Sequence, residues 1–284
     1  MELGVSGLNA KATIGPRATV RLARLAEDLG YRSWWAGEHV VLPSPRTPDS
    51  PMAPTDPVLD PLIHLTFVAG ATTTIALGTA IVILPQRNPL VLAKQVASLD
   101  VLSGGRLLLG VGAGYLEPEM TAVGVPMAGR GARTDEYIDA MRSLWTDEAP
   151  AHHGRFVSFD KVDAHPRPAR PVPVVIGGHS PAAFRRAVAR GDGWFGNGAS
   201  AADLRRHLDG IAAATREVER PAALGRLEVT WMQFSPVSRA EMAQYAALGV
   251  DRLVVYPLPI EDPDDVARFL SEHASRAAAE GLVH

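Results

Sequence analysis

No cysteine occurs anywhere in the 284 residues, which removes disulfides, thiolate nucleophiles and cysteine-based metal sites at once. Lysine is nearly as scarce. Lys11, Lys94 and Lys161 are the whole complement, and none ends a strand-like run, which disfavours a Schiff-base aldolase. Long apolar runs are missing too: the longest, Ile75 to Pro85, falls far short of the roughly 20 residues that cross a bilayer. Neither sign of charge dominates, with 28 basic residues against 31 acidic ones and no block of like charge. A nucleic-acid footprint or a polybasic membrane patch is therefore not expected. Met1-Glu2-Leu3 enters a strand-like run directly, without the charged and apolar regions of a secretory signal, and a cytoplasmic protein is expected.

What is present is a 46% hydrophobic chain, enough for a sizeable core. The length suits one α/β barrel of roughly 250 residues better than two small domains, so a single domain over 1–284 is expected. Short apolar runs alternate with helically periodic ones, the pattern of a parallel sheet. Strands are read at Leu3–Leu8, Ser33–Gly37, Ile75–Leu84, Arg106–Gly112, Val172–Ile176, Gly193–Gly196, Leu227–Phe234 and Arg252–Tyr256. Helices are read at Pro16–Leu29, Asp60–Ala71, Pro89–Leu102, Gly131–Trp145, Pro181–Arg190, Ala202–Glu219, Arg239–Leu248 and Pro263–Ala274. The fold class is therefore α/β, a (β/α)8 TIM-like barrel. An excursion at 153–171, extended over Arg155–Phe159, lies between strands four and five. A doubly wound open sheet would show the same alternation, but Gly-x-Gly-x-x-Gly is missing after the first strand.

In such a barrel the active site sits at the C-terminal ends of the strands. Glu38-His39 follows the second strand, where an imidazole can bond a heterocycle or transfer a proton near neutral pH, or can be an ordinary loop histidine. Gly78-Thr79-Ala80-Ile81 places a glycine inside the third strand, either beneath a flat ligand or for barrel packing. Gly110-Val111-Gly112-Ala113-Gly114-Tyr115 ends the fourth, as a ligand approach or a tight turn. Gly177-Gly178-His179-Ser180-Pro181 is physically sharper. Two glycines leave a strand, Ser180 suits an N-cap and Pro181 the first helical position, so free N–H groups and the helix dipole would favour a phosphate. His152-His153 lacks a matching ligand pattern and is read as solvated loop, and no metal is expected. Arg130 and Arg133 open a helix and serve either an anionic tail or local salt bridges. Trp34-Trp35 is read as one core ring and one interface or pocket ring.

Taken in order, several stretches resemble the luciferase-like monooxygenase superfamily, particularly its bacterial F420-dependent oxidoreductase branch. They are Trp35–His39, Leu77–Pro85, Leu99–Arg106, Gly110–Tyr115, Arg133–Trp145 and Pro173–Phe195. The resemblance covers residues 1–200 well and the remainder by strand count. It implies a flavin-like ring in the barrel mouth, coenzyme F420 or alternatively FMN. With F420 the activity would be hydride transfer to or from a small organic substrate. With FMN and oxygen it would be a two-component monooxygenase, and a non-catalytic flavin-binding protein is a third reading. By resemblance, Glu38 and His39 are the ring-side catalytic pair, and Ala80-Ile81, beside Thr79, matches a non-proline cis peptide behind the ring. Ala113, Gly114 and Tyr115 flank the cofactor; Gly177, Gly178, His179 and Ser180 receive its phosphate. A homodimer is expected on the same ground.

Overall fold

Eight parallel strands close on themselves, and the closing pairs run through the first and last strands, Glu2 opposite Arg252 to Val5 opposite Val255. The computed structural model describes residues 1–279 and Gly281; the expected domain also takes in 280 and 282–284, which lie outside the described residues. The barrel strands are β1 (Glu2–Ser6), β2 (Ser33–Ala36), β3 (Ala76–Thr79), β4 (Leu107–Gly112), β5 (Val174–Gly177), β6 (Gly193–Gly198), β7 (Glu228–Gln233) and β8 (Arg252–Val255). Around them run α1 (Pro16–Asp28), α2 (Pro61–Ala69), α3 (Pro89–Ser103), α4 (Glu117–Ala122), α5 (Arg130–Thr146), α6 (Pro181–Arg190), α7 (Ala201–Glu217), α8 (Arg239–Ala247) and α9 (Pro263–Ala279).

The expected barrel is present, with three local differences. The third strand is broken: after β3 the chain passes the cis peptide Ala80–Ile81 and resumes as Val82–Ile83, which pairs with Val111 and Gly112 of β4. The six-residue α4 was not expected, because a helix that short has too few apolar repeats to show periodicity. In the excursion, only His152–His153 and Ser158–Phe159 pair as strands. The predicted extended run over 155–157 turns instead, because the Glu136 carboxylate accepts the N–H groups of Arg155, Phe156 and Val157 at 3.0, 2.7 and 2.7 Å.

Inside the barrel, Trp35, Val175, Phe195, Met232 and Val254 form a buried plug, with Ala80, Leu108 and Tyr256 packed against it. Gly78 is a packing glycine, since the Trp35 ring occupies the space a Cβ would need. Below the plug Arg252, itself buried, lies 5.8 Å from the Trp35 ring centre and donates to Glu2 Oε2 at 2.9 Å, sealing the lower end. Neither tryptophan of the Trp34-Trp35 pair is an interface ring, because both are fully buried. Trp34 points outward under α2 and donates its Nε1–H to His64 Nε2 at 3.0 Å.

That His64 carries a pH consequence. Burial pushes its pKa from 6.5 down to about 4. The unfolded chain therefore takes up a proton between those values that the folded one refuses, so stability present above pH 6.5 is lost as pH falls to about 4. The loss from this group is about 3 kcal/mol at 1.4 kcal/mol per pH unit. Urea unfolding across this range should show His64→Gln, which keeps an acceptor for Trp34, losing less stability on acidification than the parent. Equal acid dependence in both would remove His64 as the cause.

Candidate functional site

At the mouth, β2 to β5 present a low platform of small residues. Gly37, Ala80, Ile81, Ala113, Gly114 and Gly178 are all half-buried. Ile81 is its largest side chain. It is seated by glycines of two other strands, for a Cβ on Gly112 would fall 2.0 Å from its Cδ1 and one on Gly177 2.7 Å from it. Thr79 fixes the strand beneath by donating to Gly110 O at 2.6 Å. Gly112 and Gly177 thus make room for Ile81, and Gly110 for the Thr79 carbonyl, rather than for a ligand. Gly114, at φ +81°, turns the chain away and leads to Tyr115, which is 55% exposed.

The second-strand end is fixed from three sides. Asn9 donates to the carbonyls of Gly37 and Leu59 at 2.8 and 2.9 Å. The Glu38 side chain, 1% exposed, accepts Ile83 N–H at 2.6 Å and Arg87 Nε–H at 2.8 Å. Arg87 in turn donates to Asp60 Oδ2 at 2.6 Å. Burial pushes the Glu38 carboxyl up, against the opposing pull of Arg87 and the Ile83 amide. With its oxygens engaged by Arg87 and the backbone, Glu38 ties β2 to the chain just beyond Ile81.

His39 is placed differently. Its Nδ1 lies 3.0 Å from Glu119 Oε2, and Glu119 Oε1 accepts Val40 N–H at 2.6 Å. The Glu119 side chain is fully buried and that of His39 is 13% exposed. A carboxylate bonded to Nδ1 holds the ring proton there, which leaves Nε2 to take up or deliver a proton. Tyr115 stands edge-on to the imidazole, with ring centres 6.4 Å apart. Glu119 was missed in the sequence because it lies 80 residues from His39 on the unexpected α4. An Asn9-like or Glu119-like role leaves no local signal, since each acts on a distant strand.

Past β5 the chain forms the expected cap. The Ser180 side chain accepts Ala183 N–H at 3.2 Å and Pro181 occupies the first turn of α6. Gly178, at φ +119°, presents its carbonyl to Trp194 Nε1–H at 2.9 Å. His179 stacks on His207, with ring centres 4.4 Å apart. Its Nε2 accepts Asn197 N–H at 3.2 Å, and burial with the neighbouring His207 lowers its pKa. Arg130 is turned onto the carbonyls of Gly114 and Met127, and Arg133 lies over the Phe156 ring, so both serve local structure. Among the described residues no group of three or more His, Asp or Glu side chains is gathered as a metal site.

The geometry suits a flat heterocycle with an anionic tail: an uncharged platform, an imidazole beside it, and a capped helix N-terminus at its far side. Two shallow surface grooves on α1 and α2 lie away from these residues and carry none of that chemistry.

Comparison with known proteins shows the family and the fold. The sequence profile described as "Luciferase-like monooxygenase" matches residues 1–281. The uncharacterized protein Rv0953c of Mycobacterium tuberculosis is 33% identical over 98% of this chain and 99% of its own. An F420-dependent glucose-6-phosphate dehydrogenase of Nakamurella multipartita is 28% identical over 93% of this chain and 78% of its own. Among solved structures, an F420-dependent secondary alcohol dehydrogenase in complex with an F420-acetone adduct superposes with a TM-score of 0.80, at 17% identity and 98% coverage of both chains.

Proposed function

The chain belongs to the luciferase-like monooxygenase family, and on that premise we propose that it is a coenzyme F420-dependent oxidoreductase acting on a small organic molecule at the barrel mouth. The observation that carries the reading is the His39–Glu119 pair set beside a small-residue platform. F420 is favoured over FMN by the F420-dependent relative of Nakamurella multipartita, which matches over nearly the whole chain.

When bound, F420 supplies hydride transfer, and the protein's part is orientation, water exclusion and proton handling. Thr79, Ala80 and Ile81 would back the ring, and Ala113, Gly114 and Tyr115 would border it. Gly177, Gly178, His179 and Ser180 would receive the phosphate at the α6 N-terminus, where the dipole favours negative charge. His39 Nε2 would move the proton that accompanies hydride transfer. Glu119 would hold the imidazole in that tautomer. Glu38 would fix the wall through Arg87 and Ile83 rather than touch the reactants.

The reading includes a cytoplasmic homodimer. α2 is largely apolar apart from His64 and Thr66, and Ile63 and Phe67 on its outer side are 73% and 47% exposed, as expected of a face that a second copy covers. Among the described residues no helix is long and apolar enough to cross a membrane.

Parallel fluorescence titrations with F420 and FMN test the cofactor. Micromolar binding of F420 and far weaker binding of FMN is the expected result. Micromolar FMN with no F420 binding would replace the dehydrogenase reading with a monooxygenase one.

A further inference from the structure

The platform takes only part of the mouth. A ring lying over β2 to β5 leaves free the arc of β6, β7 and β8, which closes the barrel onto β1. On that arc the strand pairs show which residues face inward. Met232 stands level with Val254 and with Asn197, and Met232 and Val254 both belong to the buried plug. Two residues further on, by the alternation of a strand, Phe234 and Tyr256 face inward one layer nearer the mouth. Tyr256 packs on the plug, and its ring lies 5.1 Å from that of Phe234.

A third contact fixes the Tyr256 ring. Gly7, just past β1, stands at φ +84°, and a Cβ there would fall 2.3 Å from the ring and 2.7 Å from the hydroxyl oxygen. Only glycine lets the phenol lie across the end of β1. The hydroxyl so placed has no hydrogen-bond partner among the described residues. Tyr31 and Tyr245, buried outside the strands, both use theirs within the protein: Tyr31 donates to Leu270 O at 3.1 Å, and Tyr245 to Gln233 Oε1. Nor is the Tyr256 hydroxyl sealed in. The residue is half-buried, and its oxygen is not one of the chain's enclosed, unpartnered polar atoms. Burial pushes its pKa up with no neighbour pulling it down, so it stays a protonated donor across the ordinary pH range. A phenol with one apolar end held in a core and a polar tip left open is suited to meet a ligand.

From this placement, and resting on the F420 reading above, we infer that Tyr256 is a specificity residue for the substrate, its hydroxyl donating a hydrogen bond to an oxygen of the molecule that lies beside the platform. The substrate class is one that carries an oxygen acceptor, such as a carbonyl or ether, where it passes over β7 and β8. On binding, that oxygen offsets the dehydration of the hydroxyl. A molecule with a methylene in its place leaves the donor unpaired and is disfavoured. Phe234, which walls the same arc, has no polar side-chain atom, so it adds nothing to this discrimination. Tyr256 is a binding group here and takes no proton.

Tyr256→Phe removes the donor and keeps the ring against Gly7 and Phe234. Its melting temperature should equal the parent's, whereas Tyr31→Phe, which loses a partnered hydroxyl, should melt lower. The binding probes are N-methylpyrrolidone, an acceptor with no donor, and cyclopentene, a ring of the same size without oxygen. Labelling with 3-fluorotyrosine gives fluorine resonances for the five tyrosines, and that of Tyr256 is assigned by its loss in Tyr256→Phe. N-methylpyrrolidone should shift this resonance saturably, and cyclopentene much less. Affinity for N-methylpyrrolidone, read by thermal shift, should fall about two- to tenfold in Tyr256→Phe, the net worth of one hydrogen bond. F420 affinity should not change. The titrations are made with and without F420. A response in the unloaded protein upholds the inference even if F420 does not bind, in which case only the cofactor reading fails. Equal shifts by the two probes, no shift by either, weaker F420 binding in the variant, or a melting temperature lowered as in Tyr31→Phe would overturn it.

Discussion

Replacing His39 by glutamine is expected to lower turnover by about 10²- to 10⁴-fold, the range for loss of a positioned acid–base group, while F420 affinity changes little. Glutamine keeps a side chain near the buried Glu119 carboxylate but cannot shuttle a proton. Glu119→Gln separates positioning from chemistry. Glu119 does not face the reactants; it orders the imidazole through the 3.0 Å contact to Nδ1. Its carboxamide retains an acceptor for Val40 N–H, so the loop should persist, yet the imidazolium loses its anionic partner. Turnover should drop about tenfold, the lower end for loss of an orienting partner of this kind, with the loss in kcat and little change in KM. Unchanged turnover and an unchanged profile in His39→Gln would remove His39 from the reaction. Unchanged kcat in Glu119→Gln, or a loss carried by KM alone, would reduce Glu119 to a packing role.

The second large effect concerns stability. Arg87→Met should cost about 3–5 kcal/mol, because it strands the Glu38 carboxylate in a site where its side chain is 1% exposed. The melting temperature should fall by on the order of 10 °C for a chain of this size. Burial already pushes the Glu38 carboxyl up, and loss of Arg87 removes the largest influence that lowers it. Glu38 would then be held neutral in the folded variant at pH values where the unfolded chain ionises it. The penalty should accordingly shrink as pH falls toward the ordinary carboxylate range, the reverse of the acid dependence expected from His64. Adding Glu38→Gln to Arg87→Met should restore much of the stability, since the amide carries no charge to strand. Equal destabilisation of the single and double variants, measured by urea unfolding, would show that the ion pair is not what Arg87 contributes.

The barrel was legible because its signals are local and repeated: apolar runs, periodic helices, and punctuation such as Asp60-Pro61 and Ser180-Pro181, both of which cap helices as expected. The platform was legible only as a set of small residues. Their reason was hidden, because the glycines of β4 and β5 accommodate Ile81, a neighbour in space and not in sequence. Glu38 and His39 looked like one pair and are two devices. One is bound to an arginine 49 positions on, the other to a glutamate on a helix too short to announce itself. Contacts of that kind depend on which strands become neighbours around the barrel, which no local pattern states.

The seat of Ile81 has a consequence for descent. A Cβ at Gly112 or Gly177 would run into the Ile81 side chain, at 2.0 and 2.7 Å. Ile81, Gly112 and Gly177 therefore share one volume and cannot drift independently. Alanine at Gly112 becomes tolerable only after Ile81 has shrunk, and a shrunken Ile81 invites the glycines to grow. Lineages in which the platform was reshaped should show these three positions changing together.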